Sequence, residues 1–257
     1  MIRVRHGETA LFASDVHLSD AQPRTGEAFL AGLARYAPGV THLFLLGDLF
    51  DAWVGDDVLD DPSCEATALA LVRQLAALAA SGCAIHCLHG NRDFLLGEGF
   101  AARSGARILP DPCLIDLHGV PTVLTHGDTL CTGDTEYLAF RALSRSPAWQ
   151  EAFLAQPLAG RLAAARAMRA QSEQSKTAKP MALMDATEDA VLDLLRDSDA
   201  RQMIHGHTHR PARHWHRLAR EALPRWVLPD WDADGPRGGM LLARDGELRP
   251  LGDWPAP

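Results

Sequence analysis

The sequence predicts an α/β fold in which helices flank mixed β-sheets. Three short apolar segments, residues 9–14, 41–47 and 83–90, have the character of buried strands and stop at polar or glycine residues. Between them, residues 25–36 and 64–80 carry alanine and leucine at helical spacing. Strand-like segments return after residue 112 and after residue 200, where Gly246 is expected to turn a terminal hairpin. Such alternation favours sheets covered by helices.

Length and composition favour one soluble or peripheral domain spanning residues 1–257. The chain has 257 residues and no repeat, linker or low-complexity segment. Its net charge of −8 argues against general nucleic-acid binding, which needs a dense basic surface. Five scattered cysteines without C-x-x-C spacing suit the reducing cytoplasm. No segment approaches the roughly 18 apolar residues of a spanning helix.

A helical insertion is predicted at about residues 134–196, with breaks at Pro147, Pro157 and Pro180. Residues 141–179 contain seven basic and two acidic residues and so carry +5, against −8 for the whole chain. Lys176 and Lys179 are the only lysines in the sequence. From the residues alone they either lie on a solvated helix face or bind a ligand.

Groups able to bind a metal follow each strand-like segment. Because the carboxyl ends of strands form the binding crevice of α/β sheets, these groups are expected to converge. A single aspartate after a strand is usually a helix cap or turn former, but five coincident motifs favour a metal site. The polar residues at these strand ends are Asp15 and His17, then Asp48, then Asn91 and Asp93 with Arg92 between them, then His126 with Asp128, and finally His205 and His207.

The ordered blocks D-x-H, G-D, G-N-x-[DE], H-G and G-H-x-H resemble the calcineurin-like metallophosphoesterases. This resemblance implies a four-layer fold, with two mixed sheets flanked by helices, around a dinuclear metal centre. It assigns Asp15, His17 and His207 to one metal and Asn91, His126 and His205 to the other, with Asp48 as the bridge. His209 falls outside that assignment and is expected to support the ligands or the fold.

The donor set indicates which metals fit. Imidazoles, carboxylates and one amide suit Mn, Fe or Zn better than Mg or Ca, which prefer oxygen ligands alone. Two ions about 3.5–4 Å apart can lower the pKa of a bridging water and clamp a phosphoryl oxygen. Hydrolysis of a phosphate ester is therefore predicted, with no nucleophilic side chain.

Arg92 limits the class of phosphate ester that the site is expected to cleave. Typical superfamily members have G-N-H-[DE], in which the histidine protonates the leaving oxygen, whereas this chain has "GNRD". Arginine stays protonated and can only donate hydrogen bonds, often two at once to a phosphate. The leaving group should therefore depart without a proton, which favours cleavage of a diphosphate. Asp48 and Arg92 are the two predicted catalytic residues.

Longer strings, including "GDLFDAWVGDD", "HGNRDFLLG", "LTHGDTLCTGD" and "IHGHTHRP", resemble the UDP-2,3-diacylglucosamine diphosphatases of lipid A biosynthesis. The resemblance implies hydrolysis of UDP-2,3-diacylglucosamine to UMP and 2,3-diacylglucosamine 1-phosphate, by water attack on the α-phosphorus. It also implies two Mn²⁺ ions and peripheral attachment at the cytoplasmic face of the inner membrane. The alternatives are a metallophosphoesterase for another nucleotide diphosphate or phosphodiester, which should not need a basic helical cap, and a non-catalytic scaffold of this fold.

By the same resemblance, the insertion caps the active site and takes up the acyl chains. The implied substrate contacts are Asn91, Arg92, Asp134, Ser172, Lys176, Lys179 and His205. The spacing S-x-x-x-K-x-x-K places its three residues on one helix face, which gives the two lysines a role. Apolar residues near them are candidates for an acyl pocket, namely Trp149, Phe153, Leu154, Leu158, Leu162 and Met168.

Overall fold

A computed structural model describes residues 1–61, 64–178, 185–235 and 237–254. Within these ranges the chain forms twelve strands and seven α-helices. The strands are β1 (Ile2–Val4), β2 (Thr9–Ala13), β3 (His42–Leu45), β4 (Ala84–Cys87), β5 (Ala106–Ile108), β6 (Cys113–Leu117), β7 (Val120–Leu124), β8 (Gln202–His205), β9 (Ala212–Leu218), β10 (Glu221–Val227), β11 (Gly238–Arg244) and β12 (Glu247–Asp253). The helices are α1 (Pro23–Tyr36), α2 (Ala66–Ala80), α3 (Glu98–Ser104), α4 (Thr135–Ser144), α5 (Pro147–Leu154), α6 (Leu158–Ala178) and α7 (Glu188–Asp197).

The strands form two six-stranded mixed sheets. The first has the order β12-β11-β2-β3-β4-β5, with β2 to β5 parallel and β11 antiparallel to both its neighbours. The second has the order β1-β6-β7-β8-β10-β9, in which β7, β8 and β10 are parallel. In this sheet β6 and β9 each pair antiparallel with a neighbour. The mixed sheets predicted from the sequence are confirmed.

The two sheets pack face to face, and helices cover their outer faces. Phe12 and Phe44 of the first sheet stack at 5.0 Å and share a buried cluster with Leu124 and Ile204 of the second. On the far side of the first sheet, α1 and α2 bury their apolar faces in a separate, larger core. Helix α7 packs on the far side of the second sheet through Val191 and neighbouring apolar residues. This is the expected four-layer arrangement.

The predicted elements match in type and shift by a few residues at their ends. Pro147 is the first residue of α5, and Pro157 directly precedes α6, so two of the predicted breaks lie at helix starts. Pro180 lies outside the described residues. Asp245 and Gly246, at φ 50° and 91°, make the tight turn between β11 and β12. Among the described residues, no helix is both long and apolar enough to span a bilayer.

The layer arrangement positions the candidate site. Because β2, β3 and β4 are parallel neighbours, the loops that follow them begin at one edge of the first sheet. The loops after β7 and β8 begin at an edge of the second sheet, where the Gly206 amide donates to the carbonyl of His126 at 3.0 Å. The two edges meet where the amide of His207 donates to Oδ2 of Asp15 at 2.9 Å.

Candidate metal centre

Backbone strain is concentrated at the strand ends that the motifs identify. Among the described residues, nine that are not glycine have a positive φ, and five of them are Asp15, His17, Asp48, His207 and His209, at 51–66°. Side chains disfavour this left-handed conformation, so it persists only where the surroundings impose it. Such outliers tend to cluster at functional sites, and here they direct carboxylates and imidazoles into one space.

One half of the cluster contains Asp15, His17 and His209. Nε2 of His209 lies 3.4 Å from Oδ1 of Asp15 and 3.3 Å from Nε2 of His17. One ligand atom from each of these residues lies within 4.8 Å of the other two. Asp15 is fully buried, while His17 and His209 border the cavity.

The other half contains Asn91, His126 and His207. Oδ1 of Asn91 lies 3.1 Å from Nε2 of His126 and 2.9 Å from Nδ1 of His207. The same two imidazole nitrogens are 3.2 Å apart. Nδ1 of His126 donates to the carbonyl of Leu46 at 2.9 Å, so the lone pair of the neutral ring is on Nε2 and points at the cluster.

Asp48 lies between the two halves. Its Oδ2 is 3.8 Å from Nδ1 of His17, and its Oδ1 is 3.8 Å from Nε2 of His126. A Cβ at Gly90 would approach Oδ1 of Asp48 to 2.1 Å, so only glycine fits there. The buried carboxylate of Asp93 accepts the amides of Asp48, at 3.2 Å, and of Gly90, at 2.8 Å. Asp93, the acid of the G-N-x-[DE] block, thus fixes the loops that carry Asp48 and Asn91.

The pKa values of the cluster residues show that its buried carboxylates need a positive charge nearby. Burial raises the pKa of Asp48 to about 6. Burial opposes protonation of His126, yet Asp48 and Asp15 raise the pKa of His126 to about 9. Burial lowers the pKa of His207 to about 3 and that of His17 well below its ordinary value. The imidazoles of His17 and His207 are therefore neutral at neutral pH and can each offer a lone pair to a metal. The imidazole of His126 is protonated and balances part of the negative charge of the carboxylates.

A divalent cation fits this arrangement. Oδ1 of Asp15 and Nδ1 of His17 are buried and have no hydrogen-bond partner within the described part of the chain. Leaving such atoms unsatisfied costs about 1–3 kcal/mol each, or more where the group is charged. Asp15, Asp48 and His126 also bring one ligand atom each within 4.8 Å of one another. Coordination would satisfy these atoms, and the mixed oxygen and nitrogen donors suit a transition metal.

His205 does not belong to the cluster, which corrects the sequence-based assignment. Arg225 places NH1 2.9 Å from Nε2 of His205, and because arginine only donates, Nε2 must accept. Nδ1 then carries the proton and lies 2.8 Å from the carbonyl of Gly206. Neither nitrogen keeps a lone pair for a metal, and His205 is fully buried and does not line the cavity, so it is no substrate contact either.

The expected pairing of the remaining histidines changes accordingly. His207 lies with Asn91 and His126 rather than with Asp15 and His17, and His209, expected to play a supporting role, takes the place beside Asp15. A strand would point all three histidines to one face, but β8 ends at His205 and the chain then turns. The G-H-x-H block corresponds to Gly206–His209, so the motif itself indicates that His207 and His209, rather than His205, lie at the cluster.

The cluster opens into a cavity of about 590 Å³. Arg92 and Asp134, two of the expected substrate contacts, line it, and Asp134 also caps α4 by accepting the amide of Tyr137 at 3.2 Å. Ser172 and Lys176 belong to α6, but their side chains lie outside what the structure describes, as does Lys179 entirely. Beyond the polar end, the wall is apolar and is contributed by Trp53, Val54, Phe94, Leu95, Phe140, Trp149, Phe153, Ala165 and Met168.

The six candidate acyl residues divide into three groups. Trp149, Phe153 and Met168 line the cavity, and the rings of Trp149 and Phe153 stack at 4.9 Å. Leu154 is 42% exposed and does not line the cavity. Leu158 and Leu162 pack against the larger hydrophobic core. The sequence alone could not separate these groups, because all six residues are apolar and occupy helices.

Three cavity residues were given no role by the sequence. Tyr137 stacks on His207, with ring centroids 6.2 Å apart. Asp51 accepts from Arg92 at 2.9 Å and lies 2.7 Å from a guanidinium nitrogen of Arg169. Asp51 and Arg169 thus join the loop after β3 to α6 across the cavity. The sequence contains only weak indications of these roles. Asp51 follows Asp48 by three residues, and Arg169 is one of several arginines in the basic segment 141–179.

Two mixed sheets with a carboxylate and imidazole cluster at their common edge define a metal-dependent hydrolase of phosphate esters. The profile of the calcineurin-like phosphoesterases matches residues 9–211, and the chain belongs to this family. The UDP-2,3-diacylglucosamine hydrolase of Chromobacterium violaceum is 50% identical over 94% of this chain and 98% of its own length. The enzyme of that name from Aromatoleum aromaticum is 49% identical over 89% and 91%. A solved structure of a predicted phosphoesterase from Streptococcus pneumoniae aligns with a TM-score of 0.41 at 14% identity, over 96% of this chain and 90% of its own.

Proposed function

We propose that the protein hydrolyses the diphosphate bond of UDP-2,3-diacylglucosamine to give UMP and 2,3-diacylglucosamine 1-phosphate, a step of lipid A biosynthesis. The observation that carries this is one continuous cavity that runs from the polar cluster to the apolar wall. A substrate with a diphosphate at one end and acyl chains at the other matches that division. The activity named for relatives of 49–50% identity supports the same substrate.

The proposed cofactor is a pair of Mn²⁺ ions. Asp15, His17 and His209 would hold one, and Asn91, His126 and His207 the other, with Asp48 as the bridge. When bound, the ions would supply a water-derived nucleophile at neutral pH and neutralise charge on the attacked phosphoryl group. Binding of the divalent ions requires neutral imidazoles and ionised carboxylates as ligands.

Arg92 is proposed to bind the diphosphate and to stabilise the departing phosphate. Its side chain is only 9% exposed, and its Nε lies 3.6 Å from Oδ2 of Asp48, so it borders both the cluster and the cavity. The hydrogen bond to Asp51 fixes the plane of the guanidinium. Since arginine cannot release a proton, the mechanism needs a leaving group that is stable as an anion, and a sugar phosphate is one.

The helical segment at about 134–196 is proposed to cap the cavity within one domain, 1–257, and to hold the acyl chains. Helices α4, α5 and α6 each contribute side chains to the cavity wall. Arg161 of α6 is 3% exposed and donates to Oδ1 of Asp57 at 2.8 Å and to the carbonyl of Val54 at 2.5 Å. This buried attachment keeps α6 against the loop that follows β3.

The protein is further proposed to work at the cytoplasmic face of the inner membrane as a peripheral enzyme. A diacylated substrate is poorly soluble, so the cavity must receive it from a bilayer surface. The basic residues of 141–179, net +5, together with apolar residues of the same segment, can lie in the region of anionic headgroups.

Product analysis tests this proposal. Purified protein with Mn²⁺ is incubated with UDP-2,3-diacylglucosamine, and mass spectrometry is expected to find UMP and the lipid 1-phosphate in equal amounts. Asp48→Asn keeps the side-chain shape without the charge between the two halves and should abolish turnover. Faster turnover of a generic phosphodiester or another nucleotide diphosphate than of this lipid would contradict the proposed substrate.

A further inference from the structure

Behind the cluster lies a buried polar chain centred on Arg225 of β10, which is 6% exposed. Its Nε donates to Nε2 of His216 and its NH1 to Nε2 of His205, both at 2.9 Å. Nδ1 of His216 lies 2.8 Å from Oε2 of Glu188. A guanidinium can only donate, so each imidazole must offer a lone pair and carry its single proton on Nδ1. Arg225 thereby fixes the tautomer and orientation of two histidines at once.

The guanidinium of Arg225 is buried without a direct carboxylate partner in the ranges that the structure describes, so its other contacts must compensate for the lost hydration. Among the described residues, no carboxylate lies within ion-pair distance of Arg225. Burying a guanidinium costs several kcal/mol unless its partners compensate for the lost hydration. Here the compensation comes from two neutral rings, one of which belongs to the turn that carries the cluster histidines.

The hydrogen bonds continue from Arg225 to the cluster through the backbone. With Nε2 occupied, Nδ1 of His205 donates to the carbonyl of Gly206 at 2.8 Å, and the Gly206 amide donates to the carbonyl of His126 at 3.0 Å. The next amide, of His207, donates to Oδ2 of Asp15 at 2.9 Å. A Cβ on Gly206 would lie 2.1 Å from that same oxygen, so only glycine fits where the turn passes Asp15.

We propose that Arg225 is a positioning residue of the metal centre: by holding His205 it fixes the turn that aims His207 at Asn91 and His126. The inference rests on the metal centre of the proposed function but not on the identity of the substrate. Residues that orient metal ligands from behind typically change metal affinity about 10–100-fold when they are altered. Only arginine offers two coplanar donors for two rings, so lysine should replace it poorly.

The test measures Mn²⁺ binding to metal-free protein by titration calorimetry, without substrate. Arg225→Met and Arg225→Lys are compared with Arg217→Met, which removes an exposed arginine of the neighbouring strand β9. We expect at least one Mn²⁺ to bind about 10–100-fold more weakly in both Arg225 variants and unchanged affinity in Arg217→Met. In turnover, kcat should fall while KM for the lipid stays within about twofold, because residues at the cavity wall are untouched. Unchanged Mn²⁺ affinity in a folded Arg225 variant would overturn the inference.

A double-mutant cycle separates positioning from general stability. If Arg225 acts through His205, then the effects of Arg225→Lys and His205→Gln on Mn²⁺ affinity are not additive, since the second change removes a link already broken. Additive effects, or a lower melting temperature without a change in Mn²⁺ affinity, would contradict the inference. Because Mn²⁺ alone is the probe, failure of the protein to cleave UDP-2,3-diacylglucosamine would overturn the proposed function and leave this inference standing.

Discussion

The imidazole of His209 lies against the carboxylate of Asp15, with Nε2 of the first 3.4 Å from Oδ1 of the second. Burial opposes protonation of His209, but the contact with Asp15 raises the pKa of that imidazole above its ordinary value. The pairing joins the loop after β2 to the loop after β8 and gives each half of the cluster one histidine of the final motif. His205 is left behind the cluster, where Arg225 holds it.

The first prediction follows from that pairing. His209→Ala should reduce kcat as severely as His207→Ala, by about a hundredfold or more, because each removes a nitrogen donor from one half of the centre. Each variant should also retain fewer than two Mn²⁺ per chain, as measured by atomic absorption after desalting. His214→Ala, an exposed histidine of β9, is the matched control and should behave as the parent protein. A mild effect of His209→Ala would return that residue to a supporting role.

The fold was largely predictable because its signals are local. Short apolar strands ended by glycine or aspartate, and helices that begin at proline, follow from nearest-neighbour chemistry. The register of the last motif was not predictable in this way, since a period of two treats His205, His207 and His209 alike. The turn after His205 depends on contacts with Asp15 and Arg225, which are distant in sequence. Long-range contacts of this kind also decide which apolar residues of the helical segment face the cavity.

The second prediction concerns pH. The carboxylates raise the pKa of His126 to about 9, so the metal-free protein binds a proton there at neutral pH. A metal ligand must be a neutral imidazole, so Mn²⁺ has to displace that proton. Mn²⁺ affinity should therefore rise by up to about tenfold per pH unit as pH increases toward 9, and level off above it.

Proton release can be measured directly. Burial raises the pKa of Asp48 only to about 6, so that carboxylate is already ionised at neutral pH. The released protons should therefore come from His126 and, in part, from His209, since the pKa of each imidazole is raised. Calorimetry in buffers of different ionisation enthalpy should therefore find at least one proton released per chain as Mn²⁺ binds. Below pH 6, protonation of Asp48 should weaken binding further. Mn²⁺ affinity that is independent of pH between 7 and 9 would refute this assignment of charge.

The third prediction concerns the apolar wall. Met168→Ala removes side-chain atoms from the cavity and should raise KM for UDP-2,3-diacylglucosamine up to about tenfold, through the loss of roughly 1–2 kcal/mol of apolar contact. Leu154→Ala deletes a similar volume from a nearby residue that is 42% exposed and outside the cavity, and should leave KM unchanged. Both variants should still bind two Mn²⁺. Equal KM values for the two variants would place the acyl chains elsewhere.

The fourth prediction concerns the membrane. Vesicles that contain anionic lipid should bind the protein weakly, and salt should release it, because each basic residue near such a surface contributes about 1 kcal/mol that salt screens. Neutral vesicles should bind less. Replacing Lys176 and Lys179 together by alanine should weaken the anionic binding and raise KM for the lipid while both metals stay bound. Binding in sedimentation assays that ignores lipid charge and salt would rule out this mode of docking.

The most direct test of the account is the position of solvent oxygen after turnover in ¹⁸O-water. The proposed pose places the phosphorus nearer to uridine at the metal centre, with Arg92 on the departing sugar phosphate, so the new oxygen bond forms on that phosphorus. Mass spectrometry should therefore find the label in UMP and none in 2,3-diacylglucosamine 1-phosphate. Label in the lipid phosphate would mean that the other phosphorus is attacked and would contradict the proposed arrangement of substrate, metals and Arg92.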